Sequence, residues 1–241
     1  MKKLLLLTAC IFVFNVLQAQ KTVEYTAKDG LTVTADYYEV KGSDTMILLF
    51  HQAGWSRGEY REIAPKLNEL GYSCLAVDQR SGGQVNGVKN ETFARAKSAG
   101  TGTAYKDAFQ DIEATVAHAK KTYKPSKIIL WGSSYSSALV LKYAGDFPDN
   151  IDAVLSFSPG EYFGEKKYIS SSAANIKVPS FITSAKGEKD SWWAINSAIK
   201  SGRNQYFLPD TKGNHGSRAL WDRFDDAQSY WQAVKGFLKS M

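Results

Sequence analysis

Residues 128–137, Ile-Ile-Leu-Trp-Gly-Ser-Ser-Tyr-Ser-Ser, pass from four apolar positions suited to a buried strand directly into small and hydroxylated ones. The run fits a strand that turns sharply into a helix, since Gly132 supplies the missing side chain such a turn needs. Ser134 then falls at the carboxyl end of the strand, where open α/β sheets place their ligands. Gly132-Ser133-Ser134-Tyr135-Ser136 departs from the usual Gly-x-Ser-x-Gly only at its last position. That position must be small because helix and strand crowd together there, and serine is small. Ser133 is expected to point away and Ser137 to lie within the helix.

Outward from this stretch, the chain repeats the same alternation. Short, nearly continuous apolar runs at 46–50, 73–77, 127–131, 153–157 and 180–185 read as strands buried on both faces. Helix-like segments near 59–70, 105–122, 134–146 and 191–201 lie between them, with Gly145 and Pro148 stopping the third. Strand alternating with helix predicts a mostly parallel sheet with helices on both faces. Residues 204–208 offer a further strand, and Ala219 to Lys239 carry a helical spacing of apolar residues.

Before this pattern, residues 22–26 and 31–39 flank the turn signal Lys28-Asp29-Gly30 and read as an N-terminal antiparallel hairpin. Its second arm sets Leu31, Val33, Ala35 and Tyr37 against Thr32, Thr34 and Asp36, so one face is expected in solvent. Ser81 to Ala104, rich in Gly, Ser, Thr and Asn, reads as a long connection of the functional or mobile kind.

A serine hydroxyl becomes a competent nucleophile only when a base takes its proton. Of three histidines, His118 lies in a helical segment beside Lys120 and Lys121, and His51 ends a strand. His215 sits in Gly213-Asn214-His215-Gly216, a tight loop after the last short strand, and is the natural base. The acid that orients it should follow the strand at 180–185. Gly187 to Asp190 spells a Gly-x-x-Asp turn, whereas counting at roughly 3.3 Å per residue from Pro179 brings Glu188 nearer the tip. Glu188 is preferred and Asp190 kept. An oxyanion needs two fixed donors, typically the amide after the nucleophile and one after an early strand. Tyr135 N–H and Ala53 N–H fill these roles, with Gln52 the alternative to Ala53 and His51 bracing the loop.

The segments LLFHQAGWSRGEY, GYSCLAVDQRSGG, WGSSYSS and GNHG resemble the α/β-hydrolase superfamily, within it the dienelactone-hydrolase-like and prolyl-oligopeptidase-like branch. The likeness spans about residues 45–240. It implies an α/β-hydrolase fold with an eight-stranded sheet, a Ser-acid-His order of catalytic residues, no metal and no organic cofactor. Gln52 stands where the family often has glycine. Dienelactone hydrolases proper use cysteine where this chain has Ser134, so the resemblance implies ester hydrolysis through an acyl-enzyme, with a small-molecule ester as substrate and a peptidase as the alternative. A ligand-binding protein on the same scaffold is the reading from another class. Trp55, Tyr135, Tyr162, Phe163, Trp192 and Trp193 fall in or near loops expected to ring the cleft, and Trp55 and Trp192 are the candidate substrate contacts.

The 241 residues are 44% hydrophobic and 22% charged, enough for one sizeable core over residues 21–241. The +6 formal charge is scattered, with no basic run interleaved with aromatics, so no nucleic-acid partner is expected. Lys2-Lys3 followed by the apolar run Leu4 to Leu17 reads as a signal peptide over residues 1–20, and the product is expected in the periplasm or outside the cell. A membrane anchor needs roughly 20 apolar residues, and Thr8 and Asn15 interrupt this run, so no stable insertion is expected after processing. Leu7-Thr8-Ala9-Cys10 has the look of a lipidation box but follows too short an apolar core to be preferred. Without Cys10 only Cys74 remains, in an apolar strand, where a buried inert thiol is expected. Nothing in the sequence specifies an oligomeric state.

Overall fold

The computed structural model describes residues 20–241, and the expected signal peptide with Cys10 lies outside the described residues. The strands are β1 (Lys21–Thr26), β2 (Thr32–Tyr38), β3 (Thr45–Phe50), β4 (Ser73–Val77), a small hairpin β5 (Gln84–Val85) and β6 (Val88–Lys89), β7 (Lys127–Ser133), β8 (Ala153–Phe157), β9 (Ser180–Thr183) and β10 (Asn204–Phe207). The helices are α1 (Ile63–Glu69), α2 (Glu91–Ala99), α3 (Phe109–Thr122), α4 (Tyr135–Asp146), α5 (Tyr168–Ala173), α6 (Lys189–Ala198) and α7 (Ala227–Lys239). Eight strands form one sheet in the order β1-β2-β4-β3-β7-β8-β9-β10. The first two join antiparallel and every pair from β4 to β10 is parallel. Among the described residues no helix is long and apolar enough to cross a membrane.

Period-two alternation along the central strands splits the core into two layers. Met46, Leu48 and Phe50 of β3 pack with α3, α4, α5 and α6, while Ile47 and Leu49 pack with α1 and α7. The apolar face of α7 (Tyr230, Val234, Phe237) and that of α1 (Ile63, Leu67) close the second layer. Cys74 belongs to this layer, fully buried, and burial pushes its thiol up.

Three expectations are corrected. Ser81 to Ala104 is not a structureless connection: it holds the β5–β6 hairpin and α2. Asn90 caps α2 by accepting the Phe93 N–H at 2.7 Å, and Gly100 ends it in the left-handed region at φ 67°. This segment folds over Thr34 of β2 and Arg57 covers Asp36, so the face of Thr34 and Asp36 is buried rather than solvated. Thr92 accepts the Thr34 N–H at 2.9 Å, Arg95 donates to Thr34 Oγ1 at 2.6 Å, and Arg57 pairs with Asp36 at 3.0 Å. The terminal helix is also shorter than its apolar spacing suggests. A 3-10 turn covers Ser217–Leu220, the chain then bends through 221–226, and α7 begins at Ala227. The break lets Trp221 turn inward to donate its indole N–H to the Glu59 carbonyl at 2.9 Å.

Candidate active site

The turn from β7 into α4 is as tight as its sequence demands. A Cβ on Gly132 would lie 2.5 Å from Ser136 O and 2.5 Å from Ser137 Cα, both backbone atoms. Ser134 takes φ 58° and ψ −122°, a conformation L residues rarely adopt, and is held there by donating its N–H to Phe157 O at 2.8 Å. Ser136 is more than a small residue: its hydroxyl donates to Phe50 O at 2.7 Å and accepts the Ser133 N–H at 2.9 Å. It thereby ties the elbow to the end of β3.

Ser134 Oγ lies 2.8 Å from His215 Nε2, and His215 Nδ1 lies 2.7 Å from Glu188 Oε1. With Nδ1–H donated to the carboxylate, Nε2 keeps its lone pair for the serine proton. Glu188 occupies the end of a 3-10 turn, Lys186–Glu188, that follows β9. Its other oxygen accepts Ser158 Oγ at 2.6 Å and Ala185 N–H at 3.2 Å. Burial works to raise this carboxyl, but the bonds from His215 and Ser158 outweigh it and hold it below the ordinary range. Asp190 is exposed in the first turn of α6 and does not approach His215. A negative charge there suits the helix N-terminus.

The loop of His215 is bracketed by Gly213 at φ 70° and Gly216 at φ 73°. Gly216 N–H donates to Ser158 Oγ at 2.9 Å, and Ser217 N–H to Ser133 Oγ at 2.8 Å. Ser133 does point away from the cleft, toward buried Glu59 at 2.7 Å.

On the other side, His51 is buried and accepts the Gln79 N–H at Nε2 (3.0 Å) while Nδ1–H donates to Gln52 O (2.8 Å). Burial pushes its imidazole down to about 4, so it is neutral and braces the loop. The Gln52 N–H is committed to Glu59 Oε2 at 2.8 Å. Among the described residues, neither the Ala53 N–H nor the Tyr135 N–H has an acceptor. The Tyr135 side chain is buried, its hydroxyl donating to Ser81 O at 2.9 Å and its ring stacked on Tyr105 at 4.6 Å.

The aromatic residues divide. Trp55 is half-buried and stacks on Trp221 with centroids 5.3 Å apart. Trp192 is not a cleft residue: it is fully buried, with its indole N–H donated to Ser184 Oγ at 2.8 Å. One residue on, about 100° around the helix, Trp193 is the exposed member of the pair. Tyr162, an exposed residue, donates its hydroxyl to Ser158 O at 2.7 Å and faces Ser134.

Two residues of the site, Ser158 and Glu59, carry no motif. Ser158 could have been found from its place at the tip of β8, one strand from Ser134 and just before Pro159-Gly160, since sheet ligands gather at such tips. Glu59, in Arg57-Gly58-Glu59-Tyr60, reads like any surface charge of a helical turn. Among the described residues no cluster of three or more His, Cys, Asp or Glu side chains is arranged to hold a metal ion. What the site brings together is a hydroxyl, an imidazole and a carboxylate in hydrogen-bonded series, with the unpaired Tyr135 amide next in the chain to the hydroxyl. That set can move a proton from oxygen to nitrogen while an anion forms nearby.

Residues 41–177 match the family described as serine aminopeptidase, S33. No curated protein matches the chain. Among solved structures, an esterase from Pyrococcus furiosus has a TM-score of 0.69 at 20% identity, with 92% of this chain and 92% of the esterase covered. Dienelactone hydrolase from Anabaena variabilis has a TM-score of 0.72 at 13% identity, over 92% of this chain and 97% of that one. Est1E from Butyrivibrio proteoclasticus, solved with ferulic acid bound, has a TM-score of 0.65 at 18% identity, over 88% and 96%. At these identities the likeness establishes an α/β-hydrolase fold.

Proposed function

The chain belongs to the serine aminopeptidase S33 family of α/β hydrolases, and on that premise we propose that it is a serine hydrolase cleaving small carboxylic esters. The observation that carries this reading is the unbroken series Ser134 Oγ, His215 Nε2, His215 Nδ1 and Glu188 Oε1, with contacts of 2.8 and 2.7 Å. In the proposed reaction Ser134 Oγ bonds to the ester carbonyl carbon and its proton passes to His215 Nε2. The carbonyl oxygen becomes an anion between the Ala53 and Tyr135 amides, and Glu188 stabilises the imidazolium. The C–O bond to the alcohol then breaks as His215 returns the proton to it, leaving an acyl-serine. Water, deprotonated by His215, reverses these steps and releases the acid.

Ala53 is favoured over Gln52 as the loop donor because the Gln52 amide is already spent on Glu59. The solved esterases and dienelactone hydrolase that share the fold support an ester substrate. The family description favours a second reading, an aminopeptidase, which the same residues would serve. A panel of p-nitrophenyl esters and aminoacyl p-nitroanilides separates the two. Fluorophosphonate labelling tests both against a non-catalytic binding protein: folded protein that stays unlabelled at Ser134, and turns over no member of either panel, removes the proposal. Ser134→Ala is expected to abolish turnover and leave the fold intact. We propose further that residues 1–20 direct export and are removed, on the strength of Lys2-Lys3 and the apolar run behind them. Sequencing the amino terminus of protein recovered from its native host checks this.

A further inference from the structure

Glu59 is fully buried, and its carboxylate is where the three segments carrying the proposed chemistry meet. Oε2 accepts the Gln52 N–H at 2.8 Å, while Oε1 accepts the Ser133 hydroxyl at 2.7 Å and Gln52 Nε2 at 3.4 Å. Ser133 Oγ in turn accepts the Ser217 N–H at 2.8 Å, which ties the same carboxylate to the loop of His215. That loop can close so far only because residue 216 is glycine: a Cβ there would lie 2.5 Å from Ser133 Oγ. The carboxylate therefore touches the neighbours of Ala53 and of Ser134. It stands one hydroxyl away from the segment that follows His215.

Every group directed at Glu59 is a donor. A carboxylate accepts all three, whereas a carboxylic acid or an amide keeps the Gln52 N–H bond only by turning a hydrogen toward Ser133 Oγ, which reverses that bond and leaves the hydroxyl accepting from Ser217 and residue 59 together. Bonds to the charged form are also about twice as strong as neutral ones, so ionisation tightens the loop of Gln52 and Ala53. Yet no lysine or arginine pairs with Glu59 among the described residues. The titratable groups that face it are His215 across the site and the Tyr60 and Tyr135 hydroxyls. A buried carboxylate without a cation is costly to ionise, and burial pushes this carboxyl up to about 7 against the pull of its donors. In the proposed reaction a charge on Glu59 lies where it favours the imidazolium that forms at His215.

We propose that Glu59, as a carboxylate, is a positioning residue that sets the oxyanion loop and the histidine loop against Ser134, making turnover conditional on its ionisation. The proposal rests on the hydrolase reading above. It is tested by measuring kcat and KM for p-nitrophenyl acetate against pH in the wild type and in Glu59→Gln. Base catalysis needs His215 without its extra proton, and this role needs Glu59 without its own. Log kcat/KM of the wild type should therefore fall with a slope approaching two on the acid side. In Glu59→Gln the slope should be one, with kcat lowered by about 10- to 100-fold, short of losing an oxyanion donor outright, and KM nearly unchanged. A wild-type slope of one overturns the proposal, as does a Glu59→Gln variant with wild-type kcat. Should that variant not fold, the wild-type slope decides alone. A wild type neither labelled by fluorophosphonate nor active on esters removes the hydrolase reading and this role together. Labelling with turnover and a slope of one removes only the role of Glu59.

Discussion

Ser158 Oγ stands 2.6 Å from Glu188 Oε2, and the same oxygen accepts the Gly216 N–H at 2.9 Å. One hydroxyl thus joins the acid to the loop of the base, so that Glu188 and His215 are aligned from behind as well as by their own contact. Ser158 holds this place in a left-handed conformation, φ 59°, at the tip of β8. Such strain is tolerated where the surroundings enforce it.

Ser158→Ala should therefore weaken catalysis while preserving the fold. A hydrogen bond to a charged group contributes about 1.5–3 kcal/mol, which sets the expected loss in kcat/KM at roughly ten- to a hundredfold. Ester kinetics with a thermal melt of the variant check this. Wild-type rates would show that Glu188 needs no second anchor.

Glu188→Gln and Asp190→Asn should part company. An amide at 188 favours the wrong imidazole tautomer, with a loss in kcat on the order of 10⁴-fold, while the exposed 190 side chain should be dispensable. The pH dependence of stability follows the same contact. Because folding lowers the Glu188 carboxyl, its contribution is present above the ordinary carboxylate range and is lost as pH falls through the lowered value. Acid titration of unfolding in wild type and Glu188→Gln reads this directly.

Glu59 has the opposite sign. Its carboxyl is raised to about 7, so folding takes up a proton, and the stability this contributes is full below about 4.5 and is lost as pH rises through about 7. Thermal melts between pH 5 and 8.5 should show this loss in the wild type and not in Glu59→Gln. Equal slopes in both proteins would mean that Glu59 is ionised without penalty.

Gly132→Ala should be severely damaging even though alanine is small. The added carbon meets backbone of Ser136 and Ser137 at 2.5 Å, and backbone at a helix start cannot swing aside. Overpacking of this kind costs about 1–3 kcal/mol or more, and the displaced elbow should leave Ser134 unreactive toward fluorophosphonate.

Trp192→Ala is expected to cost stability rather than affinity, by about 3–5 kcal/mol, as for a large core side chain. Measured where the variant remains folded, KM for esters should be unchanged. A raised KM at full stability would return Trp192 to the cleft.

Much of the fold was legible because it follows from local chemistry. Apolar runs of five or so residues cannot be solvated, and their alternation with helical segments leaves a parallel sheet as the compact solution. The turn at Gly132 was legible for the same reason, since its clash partners are its own neighbours in the chain. The segment 81–104 was not, because polar, glycine-rich composition describes a mobile loop as well as it describes a hairpin and capped helix. Only its contacts with Thr34, through Thr92 and Arg95, distinguish the two.

The sequence by itself determined the chain order of the eight sheet strands and of the helices between them outside 81–104 and 168–173, the sharp turn that raises Ser134, and the glycine-flanked loop of His215, because each depends on residues adjacent in the chain. Only the tertiary structure decided that Glu188 rather than Asp190 meets His215, that Trp192 faces inward, and that Ser158 and Glu59 brace the site. Those outcomes turn on ångström separations between distant segments and on the rotation of a helix about its axis. One residue of offset changes a side chain's direction by about 100°, and no local preference specifies it.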